Sequence, residues 1–178
     1  MTDPIDVPDR AARAAAEWRR ERPDIDPFSM EVLGRLGEFV QVVMRDRLMP
    51  LFDANGLQSG EFDVLVTLRR SGGPFALTPT LLYEAAMLSS GAMTARIDRL
   101  ERAALVERRP HPTDRRGTLV ALTPEGLSLI DGILAEHVEN TRTALSVLSD
   151  AERRQLNALF IKLIAGLGKA DHRRVTPR

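Results

Sequence analysis

Cysteine is absent from the 178 residues, which excludes disulfides, thiolate metal sites and thiol-based redox sensing. Any sensing must work by binding. Aromatic side chains are scarce, at 4% with one Trp and one Tyr, while Leu and Ala abound; this composition suits a helical protein better than a sandwich or barrel. Long apolar runs are missing too, since no stretch approaches the roughly 20 residues of a membrane span. The start, MTDPIDVPDR, is acidic and lacks the apolar core of a secretory leader, so a cytoplasmic protein with no membrane partner is expected. Catalytic signatures are equally thin. His111, His137 and His172 have no metal-ligand spacing, and neither a nucleophile elbow nor a phosphate-cradling glycine loop occurs. No enzyme, metal or cofactor is indicated.

Net charge is also lacking, with 25 basic and 25 acidic residues, which speaks against a nucleic-acid partner until the charge is placed along the chain. Arg96, Arg99, Arg102, Arg108, Arg109, Arg115 and Arg116 face only Asp98, Glu101, Glu107 and Asp114 in the same stretch, so that stretch is locally positive. Affinity for phosphates follows the local field rather than the total.

The length suits one domain with additional helices. Residues 10–22 have the pattern of a short amphipathic helix whose one large apolar side chain is Trp18, and the prolines of PDIDP end it. A long helix follows from Phe28, with Leu33, Leu36, Phe39, Val40, Val43 and Leu48 at helical spacing; Pro50 is expected to kink or end it, and Asn55-Gly56 is a stop signal. Ser59 is placed to cap a helix through about Arg70. Thr78-Pro79 opens the next, and Ser89 or Ser90 caps a third through about Ala103. Residues 105–109 and 118–122 have strand composition around the turn formers PHPTDRRG. Thr123-Pro124 then opens a helix through about Val147, and Ser149-Asp150-Ala151-Glu152 is a capping box for a last helix to about Gly166, before a basic tail.

In the third helix Met93, Ile97, Leu100 and Ala104 share one face, which must pack inward. Gly91, Ala92, Ala95, Asp98, Arg99 and Arg102 then face outward. Small residues there let the helix enter a major groove, and Ser90 with the free backbone N–H groups suits phosphate. On spacing alone, that outer face reads equally as one that meets only water. A following hairpin tipped by Arg115 and Arg116 favours DNA, because arginines at such a tip reach into a narrow minor groove, with Asp114 placed to orient a guanidinium.

The run LSSGAMTARIDRLERAALVERRPHPTDRRGTLVALTPEG resembles the MarR family of bacterial transcription factors. The likeness covers residues 57–126, through Asp98-Arg99-Leu100, Asp114-Arg115-Arg116 and Leu122-Thr123-Pro124-Glu125-Gly126. It implies a mainly α winged helix-turn-helix fold. The winged domain would span residues 58–122, with dimerisation helices at 27–57 and 123–168, an extra helix within 1–26, and the basic tail at 169–178. It further implies a homodimer on a pseudo-palindromic double-stranded operator, probing DNA with Ser89, Ser90, Gly91, Ala92, Thr94, Ala95, Arg99, Asp114, Arg115 and Arg116. Of these, Arg116 is the one implied to enter the minor groove. Two departures stand out: Ala95 replaces an Arg common in relatives, and Ala104 stands where a Gly often ends the helix. In a left-handed conformation Ala104 would cost roughly 1 kcal/mol or more.

Four further residues are similar to those of the urate-responsive branch, the PecS and HucR type. They are Trp18 on the extra helix, Asp63 within FDVLVTLRR, Arg96 on the third helix and Arg108 on the first strand. That likeness implies that Trp18 and Arg108 hold a small anion, urate or a related purine, while Asp63 and Arg96 couple the pocket to DNA. A buried carboxylate needs a partner, and Arg96 lies on the flank of its helix from which it can reach back. Another aromatic acid would use the same groups, and a winged-helix module that binds only protein remains an alternative.

Overall fold

The computed structural model describes residues 9–58, 60–86, 93–114 and 117–171. Ser59, Ser89, Ser90, Gly91, Ala92, Arg115, Arg116 and His172, all named above, lie outside them.

Helix α1 (Arg10–Glu21) starts where the Asp9 carboxylate accepts from the Ala12 N–H at 2.8 Å, an ordinary N-cap. Helix α2 (Phe28–Val43) lies close against it at Gly34, where an added Cβ would stand 3.2 Å from that of Ala11. Two ion pairs cross this contact, Arg35 to Asp9 at 2.7 Å and Arg19 to Glu31 at 3.2 Å, and Arg35 also pairs with Glu31 at 2.7 Å within α2. The helix does not stop at Pro50. It passes through a π-helical turn (Met44–Leu48), whose last bond runs from Met49 N to Met44 O, into α3 (Met49–Ala54), so Pro50 falls in the first turn of α3, the part of a helix that best tolerates proline. The chain then leaves the helix through Asn55 and Gly56, the latter at φ 70°.

Helix α4 (Glu61–Arg70) is followed by a two-residue strand β1 (Ala76–Leu77), too short to carry a sequence signal. Thr78 Oγ1 accepts from Leu81 N at 3.2 Å to open α5 (Pro79–Ala85). Helix α6 (Met93–Arg102) leads into β2 (Val106–Pro110) and β3 (Thr118–Leu122). The antiparallel sheet has the order β1-β3-β2, with Val106 opposite Leu122, Arg108 opposite Val120 and Ala76 opposite Ala121. Helix α7 (Pro124–Ala144) and α8 (Asp150–Asp171) complete the chain. Among the described residues, no helix is long and apolar enough to cross a membrane.

Two compact units are defined, Met1–Val138 and Glu139–Arg178. The core of the first is built around Val64, Leu65, Leu68, Leu82, Leu100, Val120 and Ile130, all essentially inaccessible to water. Each such side chain contributes about 1.5–3 kcal/mol of burial, and together they fix α4, α6 and β3 to one another. Outside this core, α2 leaves Phe28, Leu33 and Val40 exposed.

In the second unit, α7 ends three residues before Val147. Bonds from Leu145 N to Arg142 O and from Ser146 N to Thr143 O tighten its exit. The capping box then forms: Ser149 N donates to Glu152 Oε2 at 2.7 Å, and Glu152 N to Ser149 Oγ at 3.4 Å. Helix α8 continues beyond Gly166, since a glycine weakens a helix interior by only about 1 kcal/mol. It leaves Ile161, Ile164 and Leu167 exposed.

Candidate nucleic-acid interface

The periodicity of α6 divides its faces as the spacing requires. Met93, Ile97 and Leu100 are buried, Thr94, Ala95 and Arg102 are exposed, and Arg96, Asp98 and Arg99 lie between. Each of the three half-buried residues is engaged by a different neighbour. Arg99 Nε donates to Glu61 Oε1 at 2.7 Å, and Glu61 Oε2 accepts from Gln58 N at 2.6 Å, so a buried carboxylate joins the start of α4 to the middle of α6. Asp98 accepts from Arg108 Nη2 at 2.5 Å, while Glu101, one turn on, accepts from Arg108 Nη1 and, at 3.2 Å, from its backbone N–H. Strand β2 is thereby clamped to α6. These carboxylates raise the Arg108 guanidinium above its ordinary pKa, the Asp98 hydrogen bond being the main cause.

Arg96 packs on Gly60, the left-handed residue (φ 81°) that starts α4. A Cβ at Gly60 would stand 2.4 Å from Arg96 Nε, so glycine serves both the backbone conformation and the approach of the guanidinium. Arg96 Nη1 is buried without a hydrogen-bond partner among the described residues. Nearby, burial pushes the Asp63 carboxyl above its ordinary range, and attraction to Arg96, His137 and Arg70 pulls the other way. Arg96 and Asp63 therefore attract each other without forming a close ion pair among the described contacts. The His137 ring centroid lies 4.4 Å from that of Phe62, which stacks on Phe52 at 4.7 Å. This apolar setting lowers the His137 pKa, while Asp63 raises it in part.

The turn after α6 and the hairpin complete the frame. Ala104 is left-handed at φ 57°, and bonds from Ala104 N to Glu101 O and from Leu105 N to Leu100 O form a Schellman motif that turns the chain into β2. Thr123 Oγ1 donates to Ala104 O at 2.7 Å and accepts from Gly126 N at 3.0 Å. Gly126 itself lies so close to this turn that a Cβ would stand 1.9 Å from Leu105 O. At the hairpin end, His111 N donates to Gly117 O, Gly117 N to Asp114 O, and Asp114 N to His111 Nδ1 at 3.1 Å. Asp114 thus belongs to a closed loop.

Of the four residues expected to answer an anion, only Asp63 and Arg96 are neighbours by the described interactions. Arg108 is bound by Asp98 and Glu101. Trp18, 41% exposed, lines a cleft of about 140 Å³ with Ala14, Ala15, Met30 and Gly34. Glu61 and Gly60 escaped sequence reading. Glu61 carries a weak signal, a carboxylate three residues after the N–H that it accepts, but its partner lies 38 residues away in the chain.

The arrangement has close parallels. Residues 55–117 match the sequence profile of the MarR family. The chain is 42% identical over 144 residues to the HTH-type transcriptional regulator PecS of Dickeya dadantii (strain 3937), spanning 81% of this chain and 86% of that one. Among solved structures, a mutant MarR from E. coli complexed with operator DNA superposes with a TM-score of 0.61 at 25% identity, over 82% of this chain and 96% of the other. Bordetella bronchiseptica BpsR, whose DNA binding is regulated by 6-hydroxynicotinic acid, gives 0.62 at 26% identity, over 74% and 89%.

Proposed function

Because this chain belongs to the MarR family of DNA-binding transcriptional regulators, we propose that it acts in the cytoplasm as a homodimeric repressor on a pseudo-palindromic operator and is released by urate or a related small anion. The observation that carries the DNA reading is the frame around α6. Its inner face is locked into the core, its flanks are tied to α4 and β2, and its outer face is left to solvent beside a hairpin bearing Arg115 and Arg116. In this reading Thr94, Ala95 and Arg99 meet the major groove and Arg116 the minor groove.

Pairing of two copies is supported by apolar side chains that water leaves unsatisfied, Phe28, Leu33 and Val40 on α2 and Ile161, Ile164 and Leu167 on α8. A twofold dimer places two copies of α6 on two half-sites.

The ligand reading rests on the charges around Asp63. An anion that takes hydrogen bonds from Arg96 or Arg108 competes with Asp63, Asp98 and Glu101, and so loosens α6 from its supports. Trp18 would supply a stacking face. Release requires that the ligand bind the DNA-free conformation more tightly than the bound one. The BpsR parallel favours a second reading, in which an aromatic carboxylate acts through the same groups.

Gel shifts on a duplex that the protein selects from random-sequence DNA, with urate or 6-hydroxynicotinic acid added, separate these readings. Urate is expected to release the wild type but not Trp18→Phe or Arg108→Ala. Release by the carboxylate alone would contradict the urate assignment and leave DNA binding standing.

A further inference from the structure

We propose that Glu61 is a positioning residue, which aims Arg99 at the DNA from inside the protein. This inference rests on the DNA reading given above. Glu61 is only 4% exposed, yet it is a carboxylate, and both of its oxygens are in use. One accepts from the Gln58 backbone and the other from Arg99 Nε. Burial of such a group is tolerated because its partners are a fixed N–H and a full positive charge. Its location is rigid, since Val64, Leu65 and Leu68 in the next two turns of α4 are wholly buried. An acidic group in the first turn of a helix is also favoured by the helix dipole.

Arg99 is gripped by Nε alone. Its terminal nitrogens make no other hydrogen bond among the described residues, and a third of the side chain reaches solvent. The guanidinium is planar, so fixing Nε orients the remaining edge and its donors before any ligand arrives. Arg102, one turn along, provides the contrast: it is exposed, and its Nε donates at 3.2 Å to the backbone oxygen of Asp98 on its own helix. Among the described residues nothing in the core aims it. Of these two outward arginines, Arg99 is the one whose ordering cost is met on folding rather than on binding.

A purely electrostatic view makes the opposite prediction. Glu61 offsets the charge of Arg99, so its removal should strengthen attraction to phosphate; positioning requires that removal weaken binding to the preferred sequence.

The test is an anisotropy titration of the full-length protein on the palindromic duplex that the wild type selects from a random pool, with a scrambled duplex beside it. Glu61→Gln and Arg99→Ala should each weaken the selected duplex about tenfold. The double variant should bind no more weakly than Arg99→Ala, because Glu61 acts through Arg99. On the scrambled duplex, Glu61→Gln should bind as well as the wild type or better. Selected-duplex binding by Glu61→Gln equal to or tighter than wild type overturns the proposal, as do additive losses. If circular dichroism finds Glu61→Gln unfolded, Arg99→Lys carries the test: it keeps the charge but lacks the Nε donor, and undiminished affinity for the selected duplex overturns the proposal. A wild type that selects no duplex contradicts the DNA reading itself, whereas selection with an unimpaired Arg99→Ala contradicts the positioning role alone.

Discussion

Replacing Ala104 with Gly should stabilise the protein. Ala104 is exposed and held at φ 57°, where its Cβ crowds the neighbouring carbonyl. That conformation costs a non-glycine residue about 1–2 kcal/mol, and glycine adopts it freely. Against this, glycine adds freedom to the unfolded chain worth about 0.4–1 kcal/mol. The balance is a gain of about 0.5–1 kcal/mol, or roughly 1–4 °C in Tm for a chain of this size. The hydrogen bonds of the turn come from backbone groups, Ala104 N to Glu101 O and Leu105 N to Leu100 O, so the substitution keeps them. Ala103→Gly is the internal control. Its φ is not positive, and glycine there should lower stability. Thermal melts of the three proteins at one protein concentration decide the matter, the fixed concentration being needed because association shifts Tm. An Ala104→Gly variant that melts at or below the wild type refutes the claim that this turn is strained.

Gly126→Ala should destabilise by about 3 kcal/mol or more in urea titration, because the new Cβ meets the fixed Leu105 carbonyl at 1.9 Å; Gly37→Ala, with nothing within 4 Å, should be neutral or better. Asp63→Asn should raise Tm at pH 7. Burial lifts the Asp63 carboxyl above its unfolded value, so the folded state holds its proton more tightly, and stability falls as pH rises through the folded pKa. The advantage of Asn should vanish below about pH 4, where the carboxyl is protonated in both states; a wild type that is the more stable at pH 7 contradicts the assignment. Gly60→Ala, which adds strain at φ 81° and displaces Arg96, should both lower Tm and weaken binding to a selected duplex, and intact binding would show that Arg96 packing does not set the position of α6.

Features legible in the sequence were those whose partners lie within a few residues. The Thr78, Thr123 and Ser149 caps each bond a backbone N–H three residues on, and the Met93-Ile97-Leu100 stripe repeats within one helix. The left-handed turn at Ala104 was legible only through resemblance, since alanine itself gives no sign of it. Contacts between distant segments were hidden. Helical spacing leaves Arg99 on an outer face, but its bond to Glu61 depends on how α4 and α6 cross. Arg108 shows the same limit: strand alternation does not reveal that Asp98 and Glu101, one turn apart on α6, converge on it. Strand β1 exists because β3 offers it an edge, and two residues carry no periodicity of their own. Pro50 is a clear helix breaker in isolation, yet the preceding π turn places it where a helix can begin.

The central claim is that this chain reads DNA as a pair. It is tested most directly by selecting duplexes from a random-sequence pool with the full-length protein and measuring the stoichiometry on the winner at several salt concentrations. The account predicts a pseudo-palindrome with two half-sites, two chains per duplex and an affinity that falls steeply with salt, less steeply for Arg116→Ala by about one unit of log–log slope. Failure to enrich any sequence, or binding of one chain to a site without twofold symmetry, would contradict it.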